Sequence, residues 1–365
     1  MERGFTLIEL LLVIAIVAIL ATVVILSLNP IELLRQARDS TRIAEIKSLD
    51  KAINLAQTLS PDLNLGVSNI VYTSLPDTSP TCATYTTTTP VLPTLPAGWR
   101  YACVTFDNLR RIDGSGWVPI NFQALPVVPL SELPVDIVDD ANQGLYYTYI
   151  AGSWKIGAYM ESESFSSGKG KDVESREGGR NDFVFEAGSN LSLGPVGDIR
   201  VPTSSSCIGD TAALVMGEYY SKWAIAGSGR VSVTKLWYWQ KDFSGSDNLL
   251  QPGESLELAI YKPIGGNNYS KMASTTIYGT GVTGWMSGDL PKQIEIPLGQ
   301  TYVFGVRPLV GSSSIPRDYG SDCPQYLPNT LSYYVNYGYF IDPVNVADLS
   351  GGFHAGVFGI TYLVD

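Results

Sequence analysis

The chain has 365 residues, with 24 Lys and Arg against 35 Asp and Glu, and a formal net charge of −11. An acidic exterior repels nucleic acid and anionic membrane surfaces at long range, which disfavours a nucleic-acid partner. The one histidine, His354, has no motif-borne serine near it, so a Ser-His-Asp enzyme is disfavoured and no enzymatic activity is expected. The length allows two or three domains.

The first element is an apolar segment, Leu10 to Leu28, which contains no charged residue and follows a short polar leader. An α-helix needs roughly 20 apolar residues to cross a bilayer, and a secretory signal peptide has a shorter apolar core. Glu9 is the anomaly, because a carboxylate near the mouth of a membrane helix costs ~2.5–3.5 kcal/mol. Such a residue is expected to have a function and a partner.

The run Gly4 to Glu9, with the sequence GFTLIE, and the apolar segment after it resemble the processing motif of type IV pilins and type II secretion pseudopilins. The resemblance implies that prepilin peptidase removes residues 1–4 by cleaving between Gly4 and Phe5, and that Phe5 is then N-methylated. It also implies that Glu9 acts in assembly. A neighbour's Phe5 ammonium would neutralise that carboxylate in a low-dielectric filament core. An ordinary signal anchor is the alternative.

The same resemblance implies partners and a location. The partners are other pilin subunits, prepilin peptidase and an inner-membrane assembly platform. The chain would be a single-pass protein of the inner membrane before assembly, through residues 5–29, and part of an extracellular filament afterwards.

Residues 30–60 are predicted to continue the helix as an amphipathic segment. Pro30 lacks an N–H and clashes one turn back, so it should kink or locally open one long helix from about Phe5 to Leu59. Ser60-Pro61 is a stop signal. Arg38 and Arg42 are assigned to the solvated face, with contact to neighbouring subunits as the alternative. The apolar positions that recur every three or four residues are Ile43, Ile46, Leu49, Ile53, Ala56 and Leu59.

Residues 61–199 are expected to form a small head, in which loops rich in Pro, Ser and Thr separate short β-type runs. The order of three segments resembles the heads of pseudopilins and minor pilins. The resemblance implies a three- or four-stranded antiparallel sheet laid on the helix. The three segments are Leu133 to Asp136, Tyr146 to Tyr149 and Phe185 to Gly188.

Two acidic loops in this head are weak calcium candidates, since hard oxygen ligands in flexible loops suit Ca²⁺. Neither has the spacing of an EF-hand, and acidic turns without metal are the other interpretation. No other cofactor is expected. The first loop contains Asp136, Asp139, Asp140 and Asn142, and the second contains Asp172, Glu174, Asn181 and Asp182.

The four cysteines lack CxxC spacing, which argues against zinc. In an exported chain an even number predicts two disulfides. Pairing neighbours within the predicted domains gives Cys82–Cys103 and Cys207–Cys323. Four cysteines allow three connectivities, and buried free thiols are the alternative.

Residues 200–365 are predicted to form a second domain after a polar linker, Pro195 to Ser206. Turn signals separate successive strand-like runs, which predicts an antiparallel β-sandwich. The stretch Gly284 to Val306 resembles the strand–turn–strand of jelly-roll modules. The predicted strands are Ala213–Tyr220, Arg230–Gln240, Ser255–Pro263, Met272–Ile277, Gln293–Pro297, Thr301–Pro308, Leu331–Phe340 and Gly356–Leu363.

Such modules often bind carbohydrate through exposed aromatic residues. Of Trp237, Tyr238 and Trp239, at least one should lie inside, because successive side chains of a strand alternate between faces. Trp285 is a further candidate. The best candidates form a tyrosine-rich segment, with Tyr333, Tyr334, Tyr337 and Tyr339.

The sequence therefore predicts an α+β protein: a long helix, a small β head and a jelly-roll-like sandwich. Its predicted function is that of a structural subunit, minor or tip-type, of a type IV pilus-like filament, with the sandwich used for surface contact or adhesion. One alternative is a pseudopilin of a type II secretion system. The other is a membrane-anchored carbohydrate-binding protein that does not polymerise.

Overall fold

The structure is a computed structural model. It describes residues 6–201, 211–215, 218–225, 227–240, 250–282, 284–310, 315–319, 331–335, 344–345 and 358–364. Two helices, a small β head and a larger β-sandwich follow one another along the chain, which confirms the predicted α+β class.

The N-terminal region forms two helices, α1 (Leu7–Leu28) and α2 (Pro30–Leu59), where one kinked helix was predicted. Asn29 separates them in the left-handed conformation, with φ of 41°, and its side chain accepts a hydrogen bond from the Glu32 N–H. Pro30 takes the first position of α2, where a missing N–H costs nothing. Asn29 therefore ends α1 and acts as the N-cap of α2. Within the described residues, no helix is both long and apolar enough to qualify as a membrane span.

The head contains a five-stranded sheet in the order β2-β1-β3-β4-β5, one strand more than the upper prediction. The pairing of β1 with β2 is parallel and the others are antiparallel, which corrects the prediction of a purely antiparallel sheet. The parallel pair arises because residues 77–99 cross back over the sheet edge before β2 begins. The strands are β1 (Ile70–Pro76), β2 (Arg100–Val104), β3 (Tyr147–Ile150), β4 (Lys155–Ala158) and β5 (Phe185–Gly188).

Helix α2 packs its predicted apolar stripe against this sheet. Ile46, Leu49 and Ile53 are completely buried, in one cluster with Trp117 and Tyr149. Burying aliphatic side chains of this size stabilises a fold by about 1.5–3 kcal/mol each. The second half of α2 is therefore held to the head mainly by apolar contact.

The second domain is an antiparallel β-sandwich, as predicted. Its six-stranded sheet has the order β15-β8-β13-β10-β11-β16, its four-stranded sheet the order β12-β9-β17-β6, and β7 pairs with β14. The strands are β6 (Val196–Val201), β7 (Thr211–Val215), β8 (Glu218–Ala224), β9 (Arg230–Gln240), β10 (Ser255–Gly265), β11 (Asn268–Tyr278), β12 (Gly284–Pro297), β13 (Thr301–Val310), β14 (Ile315–Tyr319), β15 (Leu331–Val335), β16 (Val344–Asn345) and β17 (Phe358–Leu363).

The core of the sandwich lies between the two larger sheets. Leu258 and Phe304 from one sheet meet Leu236 and Tyr238 from the other. The predicted linker is wrong over Val196–Val201, because this segment pairs with β17 at the edge of the four-stranded sheet. From Asp198 to Val201, polar residues alternate with aliphatic ones, which is the pattern of an edge strand with one wet face.

The head and the sandwich contact each other directly. The Ser228 N–H donates to Thr94 Oγ1 at 2.9 Å, and Gln293 Nε2 donates to the Arg180 carbonyl at 2.8 Å. Gly229 has a φ of 73°, and a Cβ there would lie 2.4 Å from the Pro93 nitrogen, so only glycine fits this approach.

Candidate assembly site

The described N-terminus begins with a capping box at the start of α1. One oxygen of Glu9, Oε2, accepts hydrogen bonds from the Thr6 N–H and from Thr6 Oγ1, each at 2.9 Å, and Thr6 Oγ1 accepts from the Glu9 N–H at 3.3 Å. These bonds satisfy donors that a helix start otherwise leaves free. The predicted processing residues, Gly4 and Phe5, lie outside the described residues.

Over residues 7–22, the surface of α1 is apolar on all sides apart from Glu9 and Thr22, and it is exposed to solvent. Every described side chain from residue 7 to residue 22 is exposed, including Ile8 at 76% and Ile19 at 65%. Ile31 and Leu34, at the start of α2, are exposed as well. A contiguous apolar surface of this length marks a site that contacts other proteins or lipid.

A buried ion cluster joins α2 to the head. Arg42 is fully buried, whereas its sequence pattern had placed it on the solvated face. Its guanidinium donates to both Asp136 oxygens, from Nε at 2.6 Å and from Nη2 at 2.9 Å, and Nη1 donates to Asp39 at 2.7 Å. Glu161 lies 3.4 Å from Nη1. Two-pronged pairing with a carboxylate fixes orientation as well as distance.

The same helix face holds the loop after β4. Asp39 accepts the Glu161 N–H at 2.9 Å and the Ser162 N–H at 2.7 Å, while Glu32 accepts the Ser164 N–H at 3.0 Å. Successive turns of α2 thus present carboxylates to backbone donors of one loop. This set of contacts, from Glu32 to Arg42 on α2 and including Asp136 and residues 161–164, is called the polar clasp below.

Glu161 also pairs with two arginines at the exposed side of the polar clasp. Arg38 donates to both of its carboxylate oxygens, with Nε at 2.7 Å from Oε2, and Arg35 lies 3.7 Å away. The pKa of the Glu161 carboxyl is lowered, mainly by the hydrogen bonds from Arg38. Arg38 therefore also belongs to the head contact, and its assignment to the solvated face was wrong.

The structure gives Asp136 a different role from calcium binding, since both of its oxygens accept from Arg42. Asp139 and Asp140 do not converge with it on a shared point. Burial, followed by the charge of Asp136, raises the pKa of Asp139 to about 7, while Asp140 accepts from Gln143 at 2.6 Å. In the part of the chain that the structure describes, no group of three or more His, Cys, Asp or Glu is placed to hold a metal ion.

The second acidic loop is also engaged by protein groups. Asp172 accepts the Gly168 N–H at 2.7 Å and the Ser175 hydroxyl at 2.6 Å. Glu174 accepts the N–H groups of Met160 and Ser167. These carboxylates fix loop backbone, as buried polar groups require.

One predicted disulfide is present. Cys82 and Cys103 are bonded, with Cα atoms 5.2 Å apart, and both side chains are buried in the head. The bond ties the segment between β1 and β2 to β2 itself. Cys207 and Cys323 lie outside the described residues.

The predicted aromatic residues that the structure describes lie in strands of the sandwich. Tyr333 and Tyr334 are in β15, in register with Tyr220 and Tyr219 of β8, whereas Tyr337 and Tyr339 lie outside the described residues, as does His354. In β9, Tyr238 points into the core and its two tryptophan neighbours are half-buried, which confirms the expectation that at least one lies inside.

The sequence did contain a signal for the polar clasp. Asp39 and Arg42 precede Ile46, Leu49 and Ile53 by steps of three and four residues, so they extend the buried stripe toward the N-terminus of α2. Charge alone had assigned them to solvent.

Residues 1–25 match the family model described as the prokaryotic N-terminal methylation motif. The chain carries a prepilin signal. This signal is the one found on type IV pilins and pseudopilins, and it implies a membrane-anchored precursor that is processed and then joins a surface filament.

Two further comparisons add little. No curated protein matches the chain at a significant level. Among solved structures, the crystal structure of the mitogen YPM, derived from Yersinia pseudotuberculosis, is 10% identical over 43% of this chain and 87% of that chain, with a TM-score of 0.13. A score of that size supports no conclusion about fold or function.

Proposed function

We propose that the chain is a structural subunit, of the minor or tip type, in a type IV pilus-like filament. The processed helix α1 enters the filament core, where Glu9 meets the Phe5 amine of a neighbouring subunit. The head and the sandwich then lie on the outside, and the sandwich makes surface contact. No step of this role requires enzymatic chemistry.

The observation that carries the proposal is a prepilin signal that leads directly into a helix with apolar residues on every side. A helix of that kind is stable only when other chains or lipid surround it. In the isolated chain the Glu9 carboxylate is satisfied by Thr6. Moving it into a core of low dielectric would leave it costly unless an ammonium group pairs with it there.

The polar clasp supports a further part of the proposal. Because the buried Arg42 binds both Asp39 and Asp136, the orientation of α2 against the head is fixed. A force or displacement applied to α1 is therefore delivered to the head through α2. This suits a subunit that must carry its outer domains in a fixed register along a filament.

The partners follow from the same proposal. They are prepilin peptidase, an inner-membrane assembly platform and other pilin subunits. The precursor would reside in the inner membrane, and the assembled form would be extracellular. A pseudopilin uses the same signal and the same assembly step, so location separates the two candidates.

The test is mass spectrometry of the N-terminus of protein recovered from sheared surface filaments. We expect a chain that begins at an N-methylated Phe5 in wild type and a strong loss of incorporation in Glu9→Ala. Glu9→Gln keeps an oxygen that can accept from Thr6 but removes the charge, so it should fail as well. Glu132→Ala, at an exposed head position, should incorporate normally.

An intact Met1, or equal incorporation of the wild type and Glu9→Ala, would overturn the proposal and favour a tethered protein that does not polymerise. A processed, methylated chain that never leaves the cell envelope would favour the pseudopilin.

A further inference from the structure

The outer face of the four-stranded sheet carries a cluster of three tryptophans. In β9, Leu236 and Tyr238 enter the core, so Trp237 and Trp239 project from the opposite face. Trp285 of β12 is the register partner of Trp239 and projects from the same face. All three side chains are half-buried. We call these three residues the tryptophan face.

The rings of the tryptophan face support one another. The Trp285 ring centroid lies 5.5 Å from that of Trp239 and 6.4 Å from that of Trp237, with interplanar angles of 66° and 85°. Edge-to-face contacts of this kind contribute about 0.5–1.5 kcal/mol beyond area burial. The cluster is therefore a fixed aromatic surface on a paired sheet, and little conformational entropy is left to lose when a ligand binds.

Polar groups lie beside the rings on the same strands. Lys235 Nζ is 2.7 Å from an Asp289 carboxylate oxygen, and the Asp289 side chain is 76% exposed. In register with Lys235 on the adjoining strand, Thr361 accepts from Trp237 Nε1 at 2.7 Å and donates to Asp198 at 2.5 Å. The face thus combines aromatic rings with two carboxylate acceptors and one ammonium donor.

We propose that the tryptophan face binds a neutral polysaccharide. The C–H groups on one face of a sugar ring carry partial positive charge and suit the negative face of an indole. Sugar hydroxyls both donate and accept, so Asp198 and Asp289 accept from them while Lys235 donates. A few placed polar groups around an aromatic surface are the usual composition of a specific ligand site.

Charge decides between neutral and anionic polymers. Among the described residues, the charged groups named beside the rings are two carboxylates and one ammonium, and the whole chain carries a net charge of −11. Sulfated glycans, nucleic acids and anionic lipid surfaces are repelled by such a field. This inference deepens the proposed function by naming what the outer domain contacts, and it relocates the binding surface from the tyrosine-rich segment to β9 and β12.

Packing of the β9–β12 pair is the competing explanation, because cross-strand aromatic pairs also stabilise sheets. A structural role predicts that substitution lowers the free energy of unfolding and nothing else. A binding role predicts that a variant that leaves the rings in place but obstructs the face also weakens binding. Ser287 provides such a position, since it is exposed and is the register partner of Trp237.

The experiment uses the full chain in detergent micelles. Pull-down on insoluble cellulose, chitin, xylan, mannan and starch measures polysaccharide binding, and titration with the matching hexasaccharide follows tryptophan fluorescence. Heparin serves as the anionic probe. The variants are Trp285→Ala and Ser287→Arg, with Tyr278→Ala, a 70% exposed aromatic of β11, as the matched control.

We expect binding to at least one neutral polysaccharide and none to heparin. Trp285→Ala and Ser287→Arg should each weaken binding about tenfold, the order associated with loss of one aromatic stacking contact. The control should stay within about twofold, a change too small to indicate a lost contact. No binding to any of the five neutral polymers, or equal binding by wild type and Ser287→Arg, overturns the inference.

The result is separable from the assembly proposal. Glu9→Ala should bind polysaccharide as wild type does, because the tryptophan face belongs to the sandwich. Loss of polysaccharide binding in Ser287→Arg should leave incorporation into filaments unchanged. Polysaccharide binding and incorporation into filaments therefore report on the two proposals separately.

Discussion

Helices α1 and α2 adjoin at Asn29, but the apolar surface of α1 is exposed and that of α2 is buried. The apolar stripe of α2 is buried in the head, with Ile46, Leu49 and Ile53 fully inaccessible. The apolar residues of α1 are exposed on every side over residues 7–22. Hydrophobic burial is the main favourable term in both folding and association. Burial of the apolar surface of α1 therefore requires other molecules, whereas the apolar stripe of α2 is buried by its own chain.

The difference also lies in charge. Helix α2 carries nine charged side chains and buries two of them, Asp39 and Arg42, in the polar clasp. In α1 the described residues include one charged side chain, Glu9. The buried charge of Arg42 has its carboxylate partners and fixes the orientation of α2. The Glu9 carboxylate would need a cationic partner once its apolar helix is buried.

Of the substitutions considered, removal of the Arg42 charge should lower the free energy of unfolding most, because Arg42 attaches α2 to the head. Arg42→Met leaves Asp39 and Asp136 buried without their cation, and breaking a buried pair in this way costs about 3–5 kcal/mol. The free energy of unfolding, measured by urea denaturation of the full chain in detergent, checks this. Arg110→Met, at a half-exposed position, should change it by less than about 0.5 kcal/mol.

The double variant Arg42→Met with Asp136→Leu sharpens the result. It removes both members of the main pair and should recover part of the loss, because apolar replacements of a buried ion pair are often neutral. If Arg42→Met alone is as stable as wild type, the clasp does not hold the helix.

A matched pair of aliphatic substitutions tests the two helices against each other. Ile53→Ala opens a cavity in the head core and should cost about 2–5 kcal/mol of unfolding free energy. Ile16→Ala, at a position 48% exposed in α1, should leave the unfolding of the head unchanged. In sheared filaments, Ile16→Ala should lower incorporation. Equal unfolding penalties for both variants would contradict the comparison.

The disulfide stabilises the head independently of both helices. Cys82→Ser combined with Cys103→Ser reopens a loop with a sequence separation of 21 residues. The chain-entropy model assigns about 3 kcal/mol to a loop of roughly this size. Thermal unfolding with and without a reductant measures it. Reduction should lower the Tm of the head by more in wild type than in the double variant.

The smallest expected effect is a pH dependence at Asp139. Its pKa is raised to about 7 by burial and then by the Asp136 charge, and Oδ1 has no hydrogen-bond partner among the described residues. The unfolded carboxyl ionises near pH 4, at about 3.9. The contribution of Asp139 is therefore most favourable below that pH and is lost as the pH rises through about 7.

Asp139→Asn removes that dependence and suits the backbone, because residue 139 has a φ of 51° and asparagine tolerates the left-handed region. Urea midpoints between pH 4 and 7 should decline less in the variant than in wild type. Asp140→Asn is the control. The pKa of Asp140 is lowered, first by the Gln143 hydrogen bond, so its loss should not flatten the decline.

Much of the fold followed from local patterns. A kink at Pro30 was predicted because proline lacks an N–H and clashes one turn back, and the structure replaces that kink with the end of one helix and the start of another. The bounds of β9 were predicted fully because Arg230–Gln240 alternates between turn signals. The parallel pairing of β2 was not predicted. Pairing across residues 77–99 is a tertiary choice, and no local periodicity encodes it.

The candidate site divides in the same way. The processing motif and Glu9 were visible because six consecutive residues match a pattern. The polar clasp was missed because Asp136 and Arg42 are 94 residues apart and a charged residue is exposed by default. The tryptophan face needed the register of β9 with β12, which only the assembled sheet supplies.

The position of β17 has a consequence for biogenesis. This strand lies between β9 and β6 in its sheet, yet it follows every other described strand in chain order. During synthesis, the long strand β9 therefore has an open edge until residues 358–363 have left the ribosome. An open strand edge is a template for wrong pairing. A nascent chain that stalls before Phe358 should thus be a substrate for chaperones and proteases, however complete its helices are.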